Sequence, residues 1–138
     1  MLSQKFWLEH NLGKGGWQIA REHREIPDLS AYPEIVRVAE VVPATRKQLW
    51  VSCLRAGASI RPHNDSERAG AVRIHVPLVG AGTLLIEEQT YRMRVGEYWA
   101  VDTVGRQHSA HNDGPIDRIH LLVDVLPSPW LRDHVPWL

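Results

Sequence analysis

From about Gln48 onward, turn-forming residues cut the chain into short β-rich runs, and this texture limits the possible folds more than any other feature. Breaks fall at Ala56-Gly57, Asn64-Asp65, Gly80-Ala81-Gly82, Glu88-Gln89, Val95-Gly96, Thr103–Gly105 and Asn112–Pro115. Strands are expected near 48–54, 57–61, 71–78, 82–87, 90–94, 97–102, 107–111 and 117–125. Many short strands with such close turn spacing indicate a sandwich or barrel.

About eight strands in roughly 80 residues suit a double-stranded β-helix, the cupin-like jelly roll, as the all-β core. Residues 1–47 read as a loop and helix region, 48–126 as the β-helix and 127–138 as a C-terminal cover, all within one domain. Leu12–Gly16 is a loop signal, and Ile35, Val36, Val38, Ala39 and Val42 fit a short helix over 33–42 with Ser30 as a candidate N-cap and Pro43 as its stop. The Pro- and Trp-rich tail from Pro127 is expected to pack irregularly over one end of the barrel. Sixteen basic and sixteen acidic residues cancel, which argues against nucleic acid as a partner. One cysteine, Cys53, rules out an intrachain disulfide and a thiolate-only zinc site. No apolar run is long enough to span a membrane, and no signal-peptide pattern opens the chain, so a soluble cytoplasmic protein is expected.

Eight histidines make their positions informative. In His63-Asn64-Asp65, extended backbone points residues 63 and 65 the same way, so an imidazole and a carboxylate can reach one cation. His108, on a later strand, completes a set of two histidines and one carboxylate, the donors of a non-haem Fe(II) facial triad with positions left open for a co-substrate and O2. By itself a His-x-Asp pair is common in loops, and the neighbours carry the argument. Arg118 opens the last apolar strand, and a guanidinium inside a barrel requires an anion. Arg73 and His75 alternate with Val72, Ile74 and Val76, sharing either a pocket face or a face turned to water. Two arginines and a histidine beside a metal would suit a dicarboxylate chelated at one end and clamped at the other.

Five segments resemble the aspartyl/asparaginyl β-hydroxylase family in the right order. These are Val51–His63, Arg73–Leu78, Gly96–Trp99, His108–Asn112 and Asp117–Asp124, with weaker echoes at Gly16-Trp17 and Tyr32-Pro33. The resemblance runs from about Trp50 to Asp124 and implies a double-stranded β-helix oxygenase dependent on Fe(II) and 2-oxoglutarate. It makes His63, Asp65 and His108 the iron ligands. Ser52 and Arg118 match residues that hold the distal carboxylate of 2-oxoglutarate, and Arg73 and His75 match those near its metal-bound end. Asp65 places the chain with members that keep a full triad, and apart from halogenating relatives whose metal needs that position vacant. The implied reaction hydroxylates an unactivated C–H of an amino acid, or of an amino-acid residue in a peptide or carrier-bound substrate, with O2 consumed and succinate and CO2 released.

Outside that set, His111 is expected on the strand face opposite His108, and Asn112 is expected to shape the following turn. His120 shares a face with Arg118 and is either a pocket residue or a satisfied core histidine. Asp124 either orients a neighbour or ends its strand. Trp99 and Cys53 read as core; Trp130 and Trp137 read as C-terminal cover or a homodimer contact; His10, His23 and His134 read as surface. Arg55, Arg61, Arg68 and Arg106 read as rim residues, of which Arg61, Arg68 and Arg106 could meet a substrate carboxylate. The rival to an oxygenase is a cupin-like protein that binds metal or a carboxylate without oxidation.

Overall fold

The computed structural model describes residues 28–65 and 70–138 in full and, before them, the backbone of 17–20 and 23–26. The loop at 13–16 and the side chains of His10, His23 and Arg68 lie outside the described residues. In chain order the elements are β1 (Trp17–Ala20), β2 (His23–Ile26), α1 (Pro33–Ala39), β3 (Arg46–Leu54), β4 (Ser59–His63), β5 (Val72–Val79), β6 (Gly82–Ile86), β7 (Gln89–Met93), β8 (Trp99–Val101), β9 (His108–His111), β10 (Arg118–Val125) and α2 (Pro129–His134). They form a six-stranded sheet in the order β1-β2-β3-β10-β5-β8 and a four-stranded sheet in the order β4-β9-β6-β7. Every pairing is antiparallel, and the all-β double-sheet architecture agrees with the expectation from turn spacing.

Strand alternation sorts the large sheet into two unlike faces. Val51 and Cys53 of β3, Val72, Ile74 and Val76 of β5, and Ile119, Leu121, Val123 and Val125 of β10 pack in one apolar core with Ile35 and Ala39 of α1 and Leu131 of α2. This core lies on the outer face of the sheet, and burying each of its Val, Leu and Ile side chains contributes about 1.5–3 kcal/mol. The intervening residues, Trp50, Ser52 and Leu54 on β3, Arg73 and His75 on β5, and Arg118, His120, Leu122 and Asp124 on β10, share the inner face. Strand β10 is buried along its whole length although three of its four inner residues are polar. A second apolar cluster, including Ile60, Leu84, Ile86, Met93 and Ala110, supplies the small sheet's side of the interior. The barrel therefore has one polar wall and one apolar wall.

Two glycines let the sheets approach each other. A Cβ at Gly82 would sit 2.3 Å from Arg118 Cδ and 3.0 Å from its Nη1, so the missing side chain is the space that the arginine occupies. Gly80 has φ +73°, and a Cβ there would lie 2.7 Å from the Asp117 carbonyl. Asn112, fully buried, donates through Nδ2 to the carbonyls of Leu54 and Ile116 and accepts from Gly114 N–H, tying β9 to the start of β10.

Three local expectations are corrected. Helix α1 starts with Pro33 at its first position, so Tyr32 is the N-cap and makes no side-chain cap bond, while Ser30 N–H bonds to Asp28 in a preceding turn. The tail is not irregular throughout: Ser128 Oγ accepts from Leu131 N–H and starts α2. Within 1–47, the backbone of 17–20 and 23–26 adds a hairpin to the edge of the large sheet, with Ile26 opposite Val51.

Candidate metal centre

His63 ends β4 and His108 opens β9, and the ladder pairs these two residues directly. Their rings lie 4.2 Å apart between centroids. Asp65 follows two residues after His63 and is buried. One ligand atom from each of His63, Asp65 and His108 can be chosen so that all lie within 4.8 Å of one another. His108 Nε2 is 3.1 Å from Asp65 Oδ2, and His63 Nε2 is 4.0 Å from Asp65 Oδ1. Residues that sequence spacing could only suggest thus converge on one point.

Backbone geometry sets which nitrogen each imidazole offers. His63 Nδ1 lies 2.7 Å from the Arg61 carbonyl and His108 Nδ1 lies 2.9 Å from the Arg106 carbonyl. A carbonyl only accepts, so Nδ1 of each ring carries the proton and Nε2 presents its lone pair toward Asp65. Locking the tautomer through the far nitrogen is the usual support for a metal-binding histidine. Asp65 is held likewise: Thr103 Oγ1 donates to Oδ2 at 2.8 Å, and the Thr103 carbonyl accepts the Asp65 N–H at 3.3 Å. Two fixed imidazole lone pairs and a carboxylate suit a divalent cation of intermediate softness, and the set fits iron.

Arg73 stands beside this group. It binds Asp124 in a two-pronged contact, Nε to Oδ1 at 2.8 Å and Nη2 to Oδ2 at 2.9 Å, with Nη1 3.5 Å from Asp65 Oδ2 and its guanidinium carbon 4.3 Å from the Trp50 ring centre. Asp124 thus orients a neighbour. Arg118 differs: it is 3% exposed, makes no ion pair with a described carboxylate, and its Nε has no hydrogen-bond partner. Burial pulls its pKa down to about 10, which still leaves it charged at neutral pH. His75 and His120 are buried on the same wall with Nδ1 atoms 3.4 Å apart, and burial holds both well below the usual histidine value. Ser52 stands directly across the ladder from His120.

Several other residues fall outside the centre. His111 points outward and meets Ser59 Oγ at 2.7 Å. Cys53 lies in the outer-face core, where burial pushes its thiol pKa up. Trp99 packs against the inner apolar cluster, and His134 stacks on Trp130 at the surface. Arg106 bridges Glu87 and Asp102 at 2.8 and 3.1 Å, so it is already engaged, while Arg55 and Arg61 are exposed. Sequence reading missed Thr103, taken only as part of a turn, because its partner Asp65 lies 38 positions away.

In fold this chain is a cupin-type double-stranded β-helix. A protein from Thermotoga maritima described as a predicted oxalate decarboxylase superposes with a TM-score of 0.55 at 18% identity, covering 82% of this chain and 91% of that one. A cupin domain from Schizosaccharomyces pombe gives a TM-score of 0.56 at 13% identity, covering 86% and 74%. The polyketide cyclase RemF from Streptomyces resistomycificus gives 0.54 at 17% identity, covering 80% and 70%. These likenesses establish the fold alone. The family model for aspartyl/asparaginyl β-hydroxylases matches residues 3–127, nearly the whole chain, and the protein belongs to that family. A search of curated proteins found no match. Among the described residues no helix is long and apolar enough to cross a membrane.

Proposed function

We propose that this protein is an Fe(II)- and 2-oxoglutarate-dependent hydroxylase whose substrate is an amino acid, or an amino-acid residue in a peptide or carrier-bound molecule. The observation that carries the reading is a pairing of two unusual features in one interior. A set of donors suited to a cation stands at one end, and a buried arginine without a described anion stands at the other. Ile86 lies opposite His108 in the ladder, and Gly82, which meets Arg118, lies four residues further along β6. At roughly 3.3 Å per residue the two levels are about 13 Å apart. The His108 and Arg118 side chains take up part of that spacing, and a five-carbon keto-diacid would span the remainder with its keto-acid end on the metal and its far carboxylate against the arginine.

The roles of the side chains follow. His63, Asp65 and His108 would hold the iron, which with O2 and the 2-oxo acid supplies the oxidising chemistry that inserts oxygen into a C–H bond and releases succinate and CO2. Arg118 and Ser52 orient the distal carboxylate. His75 stays neutral beside the metal-bound end and offers a polar edge without adding charge. Arg73 lies on the same side, where it balances the negative charge of Asp65 and Asp124. Leu84, Ile86 and Ile60 form the dry opposite wall. The charges of Arg73 and Arg118 cancel those of Asp65 and Asp124, so a divalent cation and a dicarboxylate added together leave the interior balanced.

Anaerobic titration with Fe(II) and 2-oxoglutarate tests the proposal. A weak visible metal-to-ligand charge-transfer band is expected, followed on aeration by succinate release when the correct substrate is present. Screening the twenty amino acids and short peptides for succinate, then for a mass gain of one oxygen, would name the substrate. A site that binds iron but gives no band and no succinate would favour the non-oxidative cupin reading.

A further inference from the structure

Among the described residues, three buried side-chain nitrogens have no hydrogen-bond partner: Trp50 Nε1, Arg118 Nε and His120 Nε2. All three belong to the inner face of two adjacent strands, β3 and β10. Buried polar groups are nearly always paired, so three orphans on one wall mark a place where a ligand completes the bonding. His120 is the most informative. It is 1% exposed, it faces Ser52 across the ladder, and it sits two residues along β10 from Arg118. Its Nδ1 shares one contact with His75 Nδ1 at 3.4 Å, and only one of those two nitrogens can carry the proton. When His75 donates, His120 keeps its proton on Nε2, an N–H donor enclosed in the barrel without an acceptor.

We propose that His120 is a specificity residue whose Nε2–H donates to the distal carboxylate of the 2-oxo acid, between Ser52 and Arg118. The inference rests on the co-substrate reading above and adds a ligand preference to it. Arg118 supplies the only unpaired positive charge among the described residues of this wall, and His120 supplies a fixed donor. A carboxylate satisfies both. A terminal amide would turn one N–H toward the imidazole N–H or the guanidinium, leaving a donor facing a donor, and would be rejected. The pocket should therefore distinguish 2-oxoglutarate from 2-oxoglutaramate at its far end.

The test uses the full chain loaded with Mn(II), which avoids turnover, and reads 2-oxoglutarate affinity by calorimetry. His120→Leu should bind 2-oxoglutarate about tenfold to a hundredfold more weakly while keeping its Mn(II) affinity, and should discriminate less against 2-oxoglutaramate. His120→Gln, which retains an N–H donor, should recover much of the loss. Unchanged affinity in His120→Leu would assign the imidazole to a buried water and overturn the proposal, while the co-substrate reading would stand. Failure of the wild-type protein to bind 2-oxoglutarate would overturn both. A measurement on the wild type covers the case in which the variants fold poorly. With Zn(II) bound, adding 2-oxoglutarate should bring up a slowly exchanging His120 Nε2–H proton in the NMR spectrum, and its absence would overturn the assignment.

Discussion

Replacing Thr103 by valine should weaken metal binding without unfolding the protein. The hydroxyl is 1% exposed and donates to Asp65 Oδ2 at 2.8 Å, while the backbone contact between the two residues is independent of the side chain. A hydrogen bond to a charged group is worth about 1.5–3 kcal/mol, and this one holds the carboxylate in the orientation the cation needs. Without it, Arg73 at 3.5 Å from the same oxygen still pulls on Asp65. The carboxylate then turns toward the guanidinium and away from the imidazoles. About tenfold to a hundredfold weaker Mn(II) or anaerobic Fe(II) binding is expected by calorimetry. Thr103→Ser keeps the donor and should stay within about threefold of wild type. If Thr103→Val bound metal within about twofold of wild type at an unchanged Tm, the reasoning that this hydroxyl organises the centre would be refuted.

Other outcomes follow from the same structure. Asp124→Ala strips Arg73 of its two-pronged partner in a site where the side chains are 13% and 3% exposed, and urea denaturation should show a loss of about 3 kcal/mol, the lower end for a broken buried pair because Asp65 remains nearby. Gly82→Val drives a side chain into the space of Arg118 Cδ, so the KM for 2-oxoglutarate should rise more than tenfold with metal affinity unchanged, and an unaltered KM would remove Arg118 as the anchor. His75 and His120 are held neutral by burial, so below their unfolded value of 6.5 the unfolded chain takes up protons that the folded chain refuses. Stability is then complete above about pH 7 and falls as the pH drops, by about 1.4 kcal/mol per pH unit for each histidine, and denaturation midpoints of His120→Gln should show the shallower slope.

How far the sequence disclosed this structure depended on the range of the interaction involved. Alternation between Val72, Arg73, Ile74 and His75 correctly separated the two faces of β5, but alternation alone does not say which face meets water. The answer came from α1 and α2, which cover the apolar side and turn the polar side inward. His63, Asp65 and His108 were legible because extended spacing and family motifs coincided there. Their support was not: the Thr103 hydroxyl, the Asp124 carboxylate and the Gly82 cradle act across 38, 51 and 36 residues, and no local pattern announces a partner so far away. Helix α2 had a visible start in Ser128-Pro129, outweighed by the tail's two further prolines and its tryptophans. The lost expectation for Ser30 has a simple cause, since Pro33 fixes the first helical turn and leaves the cap position to Tyr32.

The most direct test of the central claim is anomalous scattering at the iron edge from crystals grown without oxygen in the presence of Fe(II) and 2-oxoglutarate. One peak is expected, bonded to His63 Nε2, His108 Nε2 and the Asp65 carboxylate, with the far carboxylate of the 2-oxo acid on Arg118. Iron found elsewhere, or a 2-oxo acid whose far end avoids Arg118, would contradict the account.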